Sequence, residues 1–80
     1  MRLRVYITLK KDVLDPQGSA IKNSLHNIGF KSVSAVRQGK IFELNINEND
    51  ENKCLKETEE MCKKLLANLT IEDFKIEIAE

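Results

Sequence analysis

The sequence predicts an α+β fold whose elements follow one another in the order β-α-β-β-α-β. Alternating apolar residues near both ends of the chain indicate strands, and two segments with apolar residues at helical spacing indicate helices. A short glycine-containing loop separates two further strand-like runs in the middle. Two βαβ halves of similar length favour a ferredoxin-like two-layer sandwich, in which both helices lie on one face of an antiparallel sheet. The 80 residues are expected to form a single domain.

The first part of the chain contains one strand and one helix. Residues 3–10 alternate between apolar and polar side chains and are predicted to form a half-buried strand. The helix is predicted to begin at Asp15-Pro16, because Asp is a favourable N-cap and Pro is favourable at the first helical position. Gly29 is predicted to follow the helix as its C′ residue. The apolar stripe of this helix comprises Ile21, Leu25 and Ile28.

Two strands are predicted in the middle of the chain, over residues 32–38 and 40–47. The loop between them is Gln38-Gly39, whose glycine can supply the positive φ of a tight hairpin. On the sheet face opposite the helices, apolar side chains stand among polar ones, and we expect another chain to cover part of that face. These apolar residues are Tyr6, Ile41 and Val36.

A second helix is predicted over residues 50–67, with Asn49 or Asp50 as its N-cap and Asn68 as its C′ residue. A final strand is predicted over residues 71–78, where apolar and charged side chains alternate. The helix is expected to bury one stripe of side chains against the sheet. That stripe comprises Leu55, Thr58, Met61, Cys62, Leu65 and Leu66.

The stretch Val36-Arg37-Gln38-Gly39-Lys40-Ile41 combines a glycine with two cations, as phosphate-binding loops do. Phosphate loops open a helix, whose N-terminal amides point at the anion, whereas Lys40 opens a predicted strand. The stretch is therefore predicted to be a hairpin turn. Its cations, Arg37 and Lys40, are more favourably placed to contact a partner protein than a substrate.

Composition and charge argue against several classes of function. The 13 basic and 13 acidic side chains balance, so no positive face for nucleic acid or a membrane surface is expected. Cys54 and Cys62 would lie about 12 Å apart along one helix, too far for a disulfide, and a single histidine, His26, offers no metal set. No nucleophile with an adjacent base can be assembled. The chain has no apolar run typical of a signal peptide or membrane span, so a cytoplasmic location is expected.

Several strings of the sequence resemble the PurS family, the small component of phosphoribosylformylglycinamidine (FGAM) synthase. They are "VLDPQG" at the start of the first helix, "LHNIGF" at its end, "VRQGK" in the middle and "MCKKLLAN…IEDF" towards the end. The resemblance runs in order from Val5 to Ile78. This chain has Leu69-Thr70 after Asn68, where the family usually has a proline, and Phe74 where tyrosine is common. Any partner contact by that loop is therefore less transferable.

The resemblance implies a non-catalytic subunit that acts in purine biosynthesis. Its expected partners are a large synthetase subunit, a glutaminase subunit and further copies of itself, in a homodimer or a tetramer. The small subunit would bridge the other two and support the transfer of ammonia between them. No cofactor is expected on this chain, and ATP, Mg and glutamine would be used by the partner subunits.

Exposed polar residues at loops and element ends within the family strings are the candidate partner contacts. They are Asp15, Gln17, Arg37, Lys40, Glu72 and Asp73. The alternative functions are a stand-alone ferredoxin-like module that binds a small ligand at a dimer interface, and a stand-alone enzyme. The absence of a catalytic constellation argues against the enzyme.

Overall fold

The computed structural model describes residues 1–79. Within this range, the chain forms an antiparallel sheet and two helices, and the α+β class is confirmed. The strands are Arg2–Leu9 (β1), Gly39–Asn45 (β2) and Glu72–Ile78 (β3). The helices are Pro16–Asn27 (α1) and Glu51–Met61 (α2), and α2 continues into a π-helical turn, Cys62–Leu66. No helix in residues 1–79 combines the length and apolar character needed to cross a bilayer.

The sheet has β1 at its centre, in the order β2-β1-β3, and both neighbours are antiparallel to β1. Val5 faces Phe42 on one side and Ile76 on the other, so the apolar residues of the three strands share one face. Leu3, Val5 and Ile7 are at most 1% exposed on that face. The buried side of α2 and its π-turn covers them with small side chains, namely Cys54, Thr58, Cys62 and Ala67.

Helix α1 begins and ends as predicted. Asp15 is its N-cap and Pro16 its first residue. Gly29 has a φ of 109°, and the backbone N–H groups of Gly29 and Phe30 donate to the carbonyls of His26 (3.2 Å) and Leu25 (2.9 Å). These two bonds form a Schellman ending, which satisfies the last helical carbonyls.

The strand predicted over residues 32–38 is absent, so the observed order is β-α-β-α-β. Gln38-Gly39 is not a hairpin turn: Gly39 is the first residue of β2 and does not have a positive φ. Residues 33–38 instead run beside α1. The carbonyl oxygen of Val36 lies 2.2 Å from the position that a Cβ on Gly18 would occupy, so this approach requires glycine. His26 Nε2 lies 2.7 Å from the carbonyl oxygen of Val33.

Helix α1 does not pack on the sheet of its own chain, contrary to the prediction that both helices cover one face. Strand β1 contacts both other strands extensively and α2 contacts β3 to a small extent, whereas α1 has at most a minor contact with any strand. Ile21 and Ile28 of its apolar stripe are 40% and 70% exposed. The molecule is 48 Å long, about the length of β1 and α1 placed end to end. Residues 10–38, called the arm below, therefore project beyond one end of the sheet.

The π-turn changes which side chains α2 buries. Its hydrogen bond runs from the N–H of Ala67 to the carbonyl of Cys62, at 3.0 Å, and one extra residue in the turn rotates the following side chains. Leu65, within this turn, is 84% exposed, and Met61, which precedes the turn, is 37% exposed, so the prediction that both are buried is wrong. Asn68 is not a left-handed C′ residue either, because Ala67 is already extended and no non-glycine in residues 1–79 has a positive φ.

Candidate interaction surface

The six predicted contact residues meet at the end of the sheet where the arm begins. Four of them line one cleft of about 260 Å³, and the other two are adjacent in sequence to residues that line it. The lining residues of this cleft are Ile7, Leu9, Asp15, Gln17, Gln38, Gly39, Lys40 and Glu72. The fold thus brings together lining residues up to 65 positions apart, Ile7 and Glu72, through the antiparallel pairing of β1 with both β2 and β3.

Asp15 ties the two ends of the arm together. One carboxylate oxygen accepts from the N–H of Gly18, which is the helix cap, and the other accepts from the N–H of Gln38, both at 2.9 Å. Its side chain is only 9% exposed. The hydrogen bonds from Gln38 and then Gly18, with the nearby charge of Arg37, hold the pKa of this carboxyl below its ordinary value. Asp15 is therefore a structural anchor, a role beyond the helix cap indicated by the sequence.

Arg37 also holds the two ends of the arm together, by binding backbone carbonyls at the start of the arm. Its guanidinium donates to the carbonyl oxygens of Leu9 and Lys10, the latter at 2.9 Å, and reaches that of Lys11 at 3.5 Å. These carbonyls follow the end of β1, so the contact fixes residue 37 next to the point where the chain leaves the sheet. The guanidinium therefore binds backbone carbonyls of its own chain. The pattern of apolar residues in the sequence does not predict this contact.

The remaining candidate residues lie on the strands around the cleft. Lys40 is 3.8 Å from Glu72 and stands over the Phe42 ring, 5.9 Å from its centroid. Glu72 also accepts from the N–H of Asn68 at 2.7 Å. Asp73 pairs with Lys10 at 2.9 Å, and both side chains are largely exposed. Surface ion pairs of this kind contribute little to stability, so these charges are available to a partner at small cost.

A second surface, which sequence reasoning missed, is an apolar groove beside the edge of the sheet. Its floor combines one leucine of β2 with side chains from the end of α2 and the π-turn, and its volume is about 550 Å³. Long charged side chains form its rim. The groove is lined by Leu44, Lys56, Glu57, Glu60, Met61, Lys64, Leu65 and Leu66. Only the π-turn explains why Leu65 faces this groove, and α-helical periodicity does not contain that information.

The two cysteines and the histidine are engaged within the fold. Burial raises the pKa of the Cys54 and Cys62 thiols, and both residues are fully buried and unpaired. The imidazole of His26 contacts the carbonyl of Val33. In the part of the chain that the structure describes, no group of three or more His, Cys, Asp or Glu residues could hold a metal ion. The two surfaces just described are suited to contacts with other protein chains.

Known proteins that are similar to this chain match it over nearly its whole length. The family model "PurS: Phosphoribosylformylglycinamidine (FGAM) synthase" matches residues 2–80. The PurS subunit of phosphoribosylformylglycinamidine synthase from Bacillus subtilis is 46% identical over 79 residues, which are 99% of this chain and 93% of that protein.

Solved structures of PurS proteins have the same fold as this chain, and some of them also have a similar sequence. Methanocaldococcus jannaschii PurS, described as one of the subunits of formylglycinamide ribonucleotide amidotransferase in the purine biosynthetic pathway, has a TM-score of 0.85 at 43% identity. The match covers 99% of this chain and 98% of that one. A chain in the structure of PurLQS from Thermotoga maritima has the same fold, with a TM-score of 0.88 over 95% of this chain and 93% of that one, at 22% identity. The chain therefore belongs to the PurS family of phosphoribosylformylglycinamidine synthase subunits.

Proposed function

We propose that this chain is the small, non-catalytic subunit of FGAM synthase and that it bridges the large synthetase subunit and the glutaminase subunit. The observation that carries the proposal is the PurS match over residues 2–80. The structure supports it with two surfaces suited to protein contacts and with thiols and a histidine that are engaged within the fold. A bridging subunit needs contacts and no chemistry of its own.

The proposed role follows from the chemistry of the reaction. In the complex, the glutaminase releases ammonia from glutamine, and ATP with Mg activates the formamide oxygen of formylglycinamide ribonucleotide in the synthetase. Ammonia then displaces that oxygen to give the amidine. Ammonia that escapes into water is diluted and protonated, so holding the two active sites together raises its effective concentration. We assign ATP, Mg and glutamine to the partner subunits, and we place the complex in the cytoplasm.

We further propose that the chain works as a homodimer, which can pair into a tetramer. The accessible surface is 5996 Å², whereas a compact monomer of 9.2 kDa would expose roughly 4,900 Å². The radius of gyration is 16.0 Å, against about 12 Å for a compact domain of this length. The excess of about 1,000 Å² is comparable to the roughly 800 Å² that each partner buries in a standard interface.

Reconstitution tests the bridging role. The large and glutaminase subunits are assayed for glutamine-dependent FGAM formation with and without this chain, and their association is followed by light scattering. We expect turnover and a ternary complex only when the chain is present. Unchanged glutamine-dependent turnover after its addition would remove the proposal.

A further inference from the structure

The cleft at the base of the arm is built over the end of the central strand. Lys40 stands opposite Ile7 in the register with β2, and Glu72 stands opposite Leu9 in the register with β3. Residues that face each other across a ladder share one face of the sheet, so all four lie on the face that carries the core. Among the described residues, none of α2 lines the cleft. The base of the arm closes it instead, with Asp15, Gln17 and Gln38.

Two opposite charges converge in this cleft without binding each other directly. Lys40 and Glu72 belong to strands on either side of β1, about 10 Å apart, yet their charged ends approach to 3.8 Å. A charge-assisted hydrogen bond would need about 2.7–2.9 Å. One oxygen of the Glu72 carboxylate accepts from the N–H of Asn68, whereas the oxygen that faces Lys40 accepts from no donor within residues 1–79. A charged donor and a charged acceptor therefore remain open side by side.

The surroundings of these two groups favour an added hydrogen-bonding partner. The Glu72 side chain is only 16% exposed, and that of Lys40 is 53% exposed. A carboxylate that is largely withdrawn from water gains from every further donor that reaches it. The Lys40 ammonium lies 5.9 Å from the centroid of the Phe42 ring, a contact that leaves its N–H donors free to bind an anion.

The charges of the cleft select the class of ligand. Lys40 is the only cation among the lining residues, and Asp15 and Glu72 would repel a phosphate or another simple anion. A simple cation would in turn be repelled by Lys40. A zwitterion satisfies both open groups at once. The ammonium nitrogen and the carboxyl carbon of an α-amino acid are only about 2.5 Å apart, so the two groups of one molecule can lie against two protein charges that are 3.8 Å apart.

The size and the polar rim of the cleft also fit a free amino acid. Its volume of about 260 Å³ corresponds to roughly nine water molecules at about 30 Å³ each, and so to a molecule of roughly that number of non-hydrogen atoms. Gln17 and Gln38 line the side formed by the arm. Their side-chain amides can both donate and accept, as a second amide requires.

We propose that this cleft binds a free α-amino acid whose side chain ends in an amide. The carboxylate of the ligand binds the Lys40 ammonium, and its ammonium donates to the open oxygen of Glu72. The side-chain amide extends towards Gln17 and Gln38. This inference goes beyond the bridging role, which requires no small ligand on this chain.

Calorimetric titration of the full chain with L-glutamine tests the site. We expect saturable binding with a dissociation constant in the millimolar range. N-acetyl-L-glutamine lacks the ammonium and L-glutamine α-amide lacks the carboxylate, so each should bind at least about tenfold more weakly. No saturable binding up to about 20 mM L-glutamine would overturn the proposal. Equal binding of either analogue would also overturn it, because the charges would then play no part.

Paired variants locate the binding on the cleft. Lys40→Met and Glu72→Gln should each weaken L-glutamine binding at least about tenfold, and Glu72→Gln keeps an oxygen for the N–H of Asn68. Lys75→Met and Glu43→Gln make the same changes on the opposite face of the sheet and should leave binding unchanged.

Two results of the variant series would count against the site. Binding that both cleft variants retain would show that Lys40 and Glu72 only close the end of the core. Equal weakening by all four variants would show a general effect of charge. Urea unfolding confirms that each variant is folded before it is titrated. The bridging role is measured independently by reconstitution, so it can hold even if the amino acid does not bind.

Discussion

At the scale of single residues, the shape of the molecule depends on side chains that bind the backbone. Asp15 and Arg37 together engage the backbone at the two ends of the arm, and neither contact follows from hydrophobic periodicity. The sequence identified Asp15 as a helix cap, because capping is local and depends only on neighbouring residues. It could not identify the bond to Gln38, 23 positions away, since non-local side-chain contacts depend on the path of the whole chain.

The contribution of Asp15 to the free energy of unfolding is expected to depend on pH. Its folded-state pKa is below the ordinary value because backbone N–H groups stabilise the carboxylate. Such a group stabilises the fold above its unfolded-state pKa of about 3.9 and loses this contribution as the pH falls through the folded-state value. We expect the difference in free energy of unfolding between wild type and Asp15→Asn to be constant from pH 7 to about pH 5, and to shrink below about pH 4.

Urea unfolding at several pH values measures this difference. Glu48 also has a lowered pKa, from hydrogen bonds with the N–H groups of Asp50 and Asn49, but it is present in both proteins and cancels. Asp12→Asn, in the same loop at an exposed position, is the control. A difference that stays constant down to about pH 2.5 would contradict the anchor role.

Arg37 and Lys40 are expected to behave differently, although both are exposed cations of the same stretch. Arg37→Ala removes hydrogen bonds to the carbonyls of Leu9 and Lys10 and should lower the free energy of unfolding by about 1 kcal/mol. Lys40→Ala removes a 3.8 Å ion pair with the largely buried Glu72, whose carboxylate keeps its hydrogen bond from the N–H of Asn68, and should change the free energy of unfolding by less than about 0.5 kcal/mol. Chemical denaturation compares the two variants, and equal destabilisation would refute the assignment of Arg37 as the arm's anchor.

At the scale of elements, the sequence predicted those whose signals are local. The capping residues and Gly29 predicted the bounds of α1 and the start of α2 to within about one residue. The alternation of apolar and polar residues predicted β1 and β3 equally well. The strand over residues 32–38 did not form, because a strand needs a partner edge and the base of the arm holds this segment away from β2. The prediction that α2 continues as a regular α-helix to residue 67 was also wrong. The π-turn shifts the helical phase and exposes Leu65, whereas Cys54, Thr58 and Cys62 form the buried stripe at regular α-helical spacing before it.

The buried stripe of α2 gives a prediction for thiol chemistry. Cys54 and Cys62 are fully buried, and burial raises their pKa, so both are protonated and shielded at neutral pH. We expect neither thiol to react with a disulfide reagent such as DTNB within minutes at pH 7.5, and both to react in about 6 M urea. Rapid reaction of either thiol in the native protein would show that α2 opens readily or packs differently.

At the scale of the whole molecule, an isolated chain exposes surface that a compact protein would bury. It exposes about 1,000 Å² more surface than a compact protein of its mass, and its apolar groove and α1 stripe both lack partners. The family resemblance supplied the function where the residues alone indicated only a binding module. The candidate contact residues lie at or near element ends, although Asp15 is buried where an exposed side chain was expected. The groove was not foreseen because it depends on the π-turn and the missing fourth strand.

The nitrogen source used by the reconstituted enzyme tests the bridging role most directly. FGAM formation by the large and glutaminase subunits is measured with glutamine and, separately, with saturating ammonium chloride, with and without this chain. If the chain secures ammonia transfer and contributes no catalytic group, its omission should abolish glutamine-dependent turnover and leave ammonia-dependent turnover largely intact. Loss of ammonia-dependent turnover to the same extent would contradict the account, because it would show that the chain is needed for the synthetase chemistry itself.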